Sequence, residues 1–256
     1  MYLNQFGEET MKLLKTILLS CLATTAIADT TLIFNGKKDK VAMKMQFANN
    51  MMRATSVGDN STYMIYNANN STFTTFSTND KQYYVMDKET IEKLGDIGAM
   101  MDKMLEEQLS QMPEAQREMM RGMMEKAMKA QMPKQAPKAE YSFNGESDSY
   151  NGFDCEVVVK KSGKNKSEFC VTKYSNLGMG ADEYSVITSF QETVSKLAQK
   201  YGQDQAMDFS SLGDYVPVYY KQSKKETGVL TEVNHDKLDP SLFAIPAGYS
   251  QMKMPF

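Results

Sequence analysis

The sequence contains no tryptophan and only one histidine among its 256 residues. A single histidine excludes any site that needs two imidazoles, such as the paired-histidine motif of zinc proteases. The net charge of −3 gives no basic surface of the kind that binds nucleic acid. Phosphate-binding loops and the G-x-S-x-G motif of hydrolases are also absent. We therefore expect no enzyme, no cofactor and no nucleic-acid partner.

Long apolar runs are scarce as well. Residues 16–23 are apolar but fall short of the roughly 18–20 residues that a membrane-spanning helix needs. They follow Lys12 and Lys15 and precede the small-residue motif Ala26-Ile27-Ala28. This order of elements is that of a secretory signal peptide and predicts cleavage after Ala28.

The predicted signal peptide sets the expected domain plan and location. Met11 is the expected start of translation, and residues 1–28 are an N-terminal extension and leader. Residues 29–256 should form a single α+β domain, periplasmic or secreted. Cys21 leaves an alternative, since a lipidated cysteine would anchor the chain to a membrane. We expect membrane association only in that case.

Two cysteines remain outside the leader, Cys155 and Cys170, and secretion favours a disulfide between them. Both lie in strand-like sequences, FDCEVVVKK and KSEFCVTKY, which the turn signal Ser162-Gly163 separates. A turn centred there would place the two cysteines directly opposite each other on neighbouring strands. A redox-active pair is disfavoured because the C-x-x-C spacing is missing.

Alternating apolar and polar residues predict most of the fold. On the second predicted strand Met43, Met45 and Phe47 share one face with Val41, and polar residues share the other. Clusters of Asn, Asp, Gly and Ser separate such runs from Thr30 to Met86, and strands resume at Tyr141. We predict a curved antiparallel sheet, an incomplete β-barrel of about eleven strands, with helices inserted between them.

Helical spacing marks two stretches. Asp87 is the expected cap of a helical insertion at about 88–132, which Pro113 divides. A further helix should run from about Ala181 to Tyr201, with Asp182 as its cap. His235 follows near a strand end and is expected to be solvated or hydrogen-bonded, without an obvious catalytic partner.

Methionine is the residue in excess: the chain has 22, and ten lie between Met100 and Met132. Three interpretations of this stripe remain open. It could be an ordinary core face, an adaptable apolar lid, or a soft-metal site that accepts Cu(I). The residues that would form the lid are Met101, Met104, Met120, Met123, Met124 and Met128.

Three features carry a resemblance to a known family. A leader precedes a β-meander, a helical insertion precedes a G-F-D-C…E-F-C-V-T hairpin, and residues 239–249 read DPSLFAIPAGY. Together they resemble a family of Gram-negative envelope proteins of unknown function, distantly similar to the periplasmic lipoprotein carriers LolA and LolB. The resemblance implies an incomplete β-barrel around a hydrophobic cavity, with helices as its lid. The carriers' key arginine has no clear counterpart, although Arg53 lies in a predicted strand.

These observations converge on an expected function. We expect a non-catalytic binding or carrier protein for lipid-like or other apolar ligands. Its cavity wall would include Met43, Met45 and Phe47, and its lid the six methionines of the insertion. The alternatives are a methionine-rich copper-binding protein and a protein that docks on another envelope protein. With one histidine and no free cysteine expected outside the leader, we expect no conventional metal site.

Overall fold

The structure is a computed structural model that describes most of the chain after residue 28. The described residues are 29–36, 41–56, 61–94, 107, 109–110, 113, 117, 120–123, 139–200, 209–221 and 227–252. None of the helices in these residues is both long and apolar enough to span a membrane.

The first half of the chain forms a meander. Its strands are β1 (Thr30–Asn35), β2 (Val41–Ala48), β3 (Met51–Ser56), β4 (Thr62–Asn67), β5 (Thr72–Ser77) and β6 (Gln82–Met86). The β2–β3 turn has Asn49 and Asn50 at φ of 52° and 58°. Two successive left-handed residues make the tight turn that suits a two-residue hairpin, and asparagine tolerates that conformation.

The second half adds the remaining strands and the longer helix. The elements are α1 (Lys88–Leu94), β7 (Glu140–Tyr150), β8 (Phe153–Ser162), β9 (Asn165–Lys173), α2 (Ala181–Lys200), β10 (Tyr215–Lys221), β11 (Thr227–Asn234) and β12 (Ser250–Gln251). Short 3₁₀ turns lie at Tyr174–Leu177, Ser210–Leu212 and Pro240–Phe243. The predicted Asn151-Gly152 hairpin is confirmed, with φ of 52° and 84° at its two turn residues.

All these strands belong to one sheet, in the order β12-β6-β5-β4-β3-β2-β1-β11-β10-β9-β8-β7. The pairs are antiparallel except for β12, which runs parallel to β6. β1 is central, because it pairs with β2 on one side and with β11 on the other. The sheet is large, curved and unclosed, so the expected mostly-β architecture is confirmed. The described residues contain twelve strands rather than about eleven, since two-residue β12 gives no sequence signal.

Helix α2 packs on one face of the sheet, which we call the inner face. The cluster between them contains the buried side chains of Leu32, Phe34, Phe47, Met52, Tyr66, Phe73, Val186, Ile187, Val218 and Leu230. The hydroxyl of buried Tyr66 lies 2.7 Å from Ser189 Oγ and 3.2 Å from Thr193 Oγ1. These contacts satisfy the hydroxyl inside an apolar interface and fix the helix on the sheet.

The opposite, outer face carries two smaller clusters. Under the C-terminal tail, Phe243 packs with Ala48, Ile65 and Phe76. The sequence D-P-S starts the 3₁₀ turn of this tail, because Asp239 Oδ1 accepts a hydrogen bond from the Ser241 N–H at 2.9 Å. The second cluster joins Phe209 to three buried residues of the hairpin that β8 and β9 form.

The predicted disulfide between Cys155 and Cys170 is present, with the two Cα atoms 5.4 Å apart. The expected register is wrong by two residues. Cys170 pairs with Val157, whereas Cys155 pairs with Asp148 on β7. The register differs because Ser162 pairs with Asn165, so the turn consists of Gly163 and Lys164 and does not include Ser162. The two cysteines are therefore diagonal neighbours on the same face of the sheet.

Two helix starts can be compared with their predicted caps. Asp87 caps α1 as expected, since its Oδ1 accepts a hydrogen bond from the Thr90 N–H at 2.8 Å. The predicted cap of α2 is wrong. Helix α2 begins at Ala181, and Asp182 already lies inside its first turn. Glu183 instead accepts the Gly180 N–H at 2.9 Å, which is the carboxylate half of a capping box.

The sheet is discontinuous between β10 and β11. The two strands pair only through Tyr219–Lys221 and Thr227–Val229. Before Tyr219, β10 continues along β9, and beyond Val229, β11 continues along β1. The side chain of Asn151 bridges this opening by donating a hydrogen bond to the Leu230 carbonyl at 2.9 Å.

Candidate functional site

The inner face carries half-buried apolar side chains beside α2. Met43 and Met45 on β2 and Met64 on β4 are packed against the core but remain partly accessible. Phe47 lies on the same face and is completely buried. The structure thus places Met43, Met45 and Phe47, which were predicted as cavity wall, on one face.

The predicted lid is described only in part. Met120 is half-buried and Met123 is 55% exposed, and both belong to helical residues. The other four predicted lid residues, Met101, Met104, Met124 and Met128, lie outside the described residues. Copper binding by this stripe therefore stays a prediction. Among the residues that the structure describes, no group of three His, Cys, Asp or Glu side chains could hold a metal ion.

A cavity of about 890 Å³ lies where the inner face ends, and we call it the rim cavity. Four segments meet there: the start of β1, the β2–β3 turn, the first turn of α2 and the chain after β11. It is lined by Asp29, Phe47, Ala48, Asn49, Asn50, Asp182, Glu183, Val186, His235, Lys237, Leu238 and Pro240. The cavity therefore combines apolar walls with several charged groups.

Glu183 is the most buried charged group of the rim cavity, with only 5% of its surface exposed. Its Oε2 accepts hydrogen bonds from Thr30 Oγ1 at 2.8 Å and from the Gly180 N–H at 2.9 Å. Burial raises the pKa of Glu183 above its usual value, and the two hydrogen bonds oppose that rise. Its Oε1 is buried and has no hydrogen-bond partner among the described residues.

His235 completes this polar group. Its Nδ1 lies 3.3 Å from the Oγ1 of fully buried Thr30. Because Thr30 donates its hydroxyl proton to Glu183, its Oγ1 must be the acceptor in the contact with His235, and Nδ1 the donor. A Cβ added to Gly178 would lie 2.7 Å from His235 Nε2, so the imidazole rests directly on that glycine.

The expectation that His235 is solvated or hydrogen-bonded is confirmed, since the residue is exposed and its Nδ1 contacts Thr30. The contacts that join Thr30 to Glu183 and to His235 span 153 and 205 residues of sequence. No local pattern could reveal them. The one available signal was Glu183 itself, which lies three residues after Gly180 at the start of a helix. Buried Thr30 is not accessible as a nucleophile, so the group fits binding better than covalent catalysis.

Charge in the rim cavity is unbalanced towards negative. The lining holds three carboxylates, those of Asp29, Asp182 and Glu183, against one lysine, Lys237. Asp29 is already engaged, since its Oδ2 accepts the Leu238 N–H at 2.7 Å. This bond ties the start of β1 to the chain after β11 and closes one wall of the cavity.

Arg53 points away from these groups. Its Nη1 donates to Gln46 Oε1 at 3.1 Å, and its guanidinium lies 4.4 Å from the ring centre of Tyr63. Tyr63 belongs to the cluster of the outer face. Burial lowers the pKa of Arg53 from its ordinary value. The residue therefore has no access to the inner face and cannot act there on a ligand.

Comparison with protein families identifies one match. The model of the family described as "Domain of unknown function (DUF4412)" matches residues 86–249. This range contains the disulfide hairpin, α2, and the tail that covers the outer face. It agrees with the expected family of unknown function. The expected relation to the lipoprotein carriers LolA and LolB is not confirmed.

Comparison with individual proteins adds little. No curated protein matches the chain. Two solved structures of PNGF-II, in the C2 and P21 space groups, are 11% and 9% identical over 88% of this chain, with TM-scores of 0.41 and 0.40. The chain spans only 30% and 31% of their length. Likeness at this level supports no conclusion about activity.

Proposed function

The chain belongs to the family described as a domain of unknown function (DUF4412), and we propose that it is a non-catalytic binding or carrier protein for lipid-like or other apolar ligands. We place it in the periplasm or outside the cell, with a membrane anchor only if Cys21 is lipidated. The disulfide gives this location weak support, since such bonds persist in oxidising compartments.

The observation that supports this function best is the half-buried methionine surface of the inner face. Met43 and Met45 on β2 and Met64 on β4 share the face of the unclosed sheet on which α2 packs. Apolar side chains left partly accessible on one face of a domain are typical of ligand or partner sites. Methionine suits such a surface because its flexible thioether side chain adapts to ligands of different shape.

The methionine-rich insertion is the proposed cover of this surface. Ile91 of α1 is buried in the inner-face cluster, so the chain enters the insertion from the ligand-binding side. Met120 and Met123 belong to the insertion and are partly or largely exposed. The proposal does not depend on the four predicted lid residues that lie outside the described residues.

Fluorescence of N-phenyl-1-naphthylamine, an uncharged apolar dye, tests the proposal. We expect saturable binding, with affinity about five-fold weaker in Met45→Gln, because the lost apolar contact is worth roughly 1 kcal/mol. Met51→Gln is the matched control, since Met51 is a half-buried methionine on the outer face.

Thermal unfolding of both variants shows whether they retain the fold. Absence of dye binding by the wild-type protein would contradict the proposal. Equal weakening by Met45→Gln and Met51→Gln would also contradict it, because the inner face would then have no special part in binding.

A further inference from the structure

The rim cavity adjoins the core cluster of the inner face, on which the proposed ligand surface also lies. Phe47 and Val186 line the cavity, and both also belong to the cluster between α2 and the inner face. A ligand whose apolar part lies on the inner face would therefore meet polar and charged groups at its end. The chemistry of those groups indicates which kind of head group a ligand can place there.

The carboxylates of the cavity favour a positive charge. Asp29 stands close enough to Glu183 to oppose its ionisation, while His235 favours it. Two neighbouring carboxylates in a partly enclosed site repel each other, and a cation between them relieves that repulsion. An anionic end group would add to the repulsion and be excluded.

Glu183 supplies an independent indication. Its side chain is 95% buried, it lines the cavity, and its Oε1 has no donor in the described part of the chain. A buried polar atom without a partner costs free energy, which a ligand N–H donor would recover. A hydroxyl could also donate, but a protonated amine both supplies a donor and compensates the charge.

We propose that the rim cavity binds the primary ammonium group of an amphiphile, with Glu183 as its main acceptor and the alkyl chain on the inner face. The ligand class is then alkylamines and lipids with a primary-amine head group. This inference rests on the proposed function, because the inner face must accept the chain.

Competition between two probes of equal chain length tests the inference. Dodecylammonium and dodecanoate are titrated separately against the protein loaded with N-phenyl-1-naphthylamine, at pH 7.5. We expect dodecylammonium to displace the dye at a concentration at least ten-fold lower than dodecanoate does. The shared chain cancels the apolar contribution, so the difference reports the head group alone.

Two matched variants locate the effect. Glu183→Gln keeps an oxygen that can accept from Thr30 and Gly180 but removes the charge, and it should reduce the ten-fold preference to about two-fold or less. Glu192→Gln makes the same change in α2, where Glu192 is 67% exposed and paired with Lys196 at 2.7 Å. It should leave the preference for dodecylammonium unchanged. That result would attribute the preference to the cavity and not to the net negative charge of the protein.

The outcomes distinguish this inference from the function on which it rests. If the dye does not bind at all, the proposed function fails, and the inference fails with it. If both amphiphiles displace the dye equally, the function stands and the inference is overturned. Retention of the preference in Glu183→Gln also overturns it. Should that variant fail to fold, the comparison of head groups on the wild-type protein still decides.

Discussion

The imidazole of His235 rests on Gly178, and this contact explains why that position carries glycine. Gly178 adopts a left-handed φ of 69°, which a side chain disfavours. A Cβ would also lie 2.7 Å from His235 Nε2 and push the ring away from Thr30. The glycine is therefore required both by its backbone and by the packing of the rim cavity.

Gly178→Ala tests this explanation. We expect a loss of about 1–2 kcal/mol in the free energy of unfolding, measured with urea, because alanine is strained at positive φ. Adding His235→Ala should relieve the steric part and leave the backbone part. A Gly178→Ala protein as stable as the wild type would contradict the explanation.

Buried Glu183 predicts a specific dependence of stability on pH. Its pKa is raised in the folded protein, so the folded chain keeps a proton that the unfolded chain releases. Its contribution to stability is therefore fully present below the ordinary value of 4.5 and is lost as pH rises through the folded pKa.

Glu183→Gln should remove this part of the pH dependence. We expect the free energy of unfolding to decline less steeply above pH 4.5 in Glu183→Gln than in the wild type, when both are unfolded with urea across a pH series. Glu192→Gln, with its exposed carboxylate, should follow the wild type. Parallel curves for all three proteins would show that Glu183 carries no such shift.

Among the elements, the C-terminal tail is the one whose contribution to the fold could not be predicted from the sequence. The F-x-I-P-x-G-Y ending contributed to the resemblance, but its alternation does not show which side chain is buried. The structure buries Phe243 at 8% exposure and leaves Ile245 at 51%. Tyr249 then contacts Phe76 with ring centres 6.0 Å apart, so the tail covers the outer face.

Phe243 and Ile245 provide a matched pair of variants in this tail. Phe243→Ala should cost about 3 kcal/mol, because it empties a packed site between the tail and β4–β5. Ile245→Ala should cost less than about 0.5 kcal/mol, since its side chain faces solvent. Urea unfolding monitored by tyrosine fluorescence measures both. Similar losses would mean that the tail does not pack as described.

Strand and hairpin signals were reliable within one element and failed between elements. Alternation in β2 correctly placed Met43, Met45 and Phe47 on one face, and Asn151-Gly152 correctly marked a turn. The disulfide register failed by two residues because the turn after Ser162 could begin at either of two places. A shift of two keeps every side chain on its own face, so alternation could not detect it.

On the scale of the whole molecule, the sequence predicted a curved sheet but not its closing contacts. β1 pairs with β11, nearly 200 residues away in the chain, and that pairing places Thr30 beside His235. The strands carry no signal that selects one distant partner over another. The rim cavity, which this pairing assembles, was for the same reason not predictable.

The opening between β10 and β11 gives a prediction at this scale. Asn151→Gly keeps the left-handed turn but removes the hydrogen bond to the Leu230 carbonyl. We expect a loss of about 1 kcal/mol and faster amide hydrogen exchange in β11 beyond Leu230.

Asn50→Gly is the control for this variant, since Asn50 is also left-handed but its side chain donates to exposed Asn69 rather than to β11. It should leave exchange in β11 unchanged. Identical exchange in the two variants would show that Asn151 does not hold the opening together.

The central position of β1 determines how early during its synthesis the chain can begin to complete the sheet. A ribosome makes β1 first and its partner β11 only some 200 residues later, so the middle of the sheet has a free edge until β11 emerges. Residues 238–249, which cover the outer face, emerge later still. Contacts this distant in sequence form slowly. The nascent chain therefore cannot complete its native core before β11 and the tail have emerged, and until then it depends on protection from aggregation.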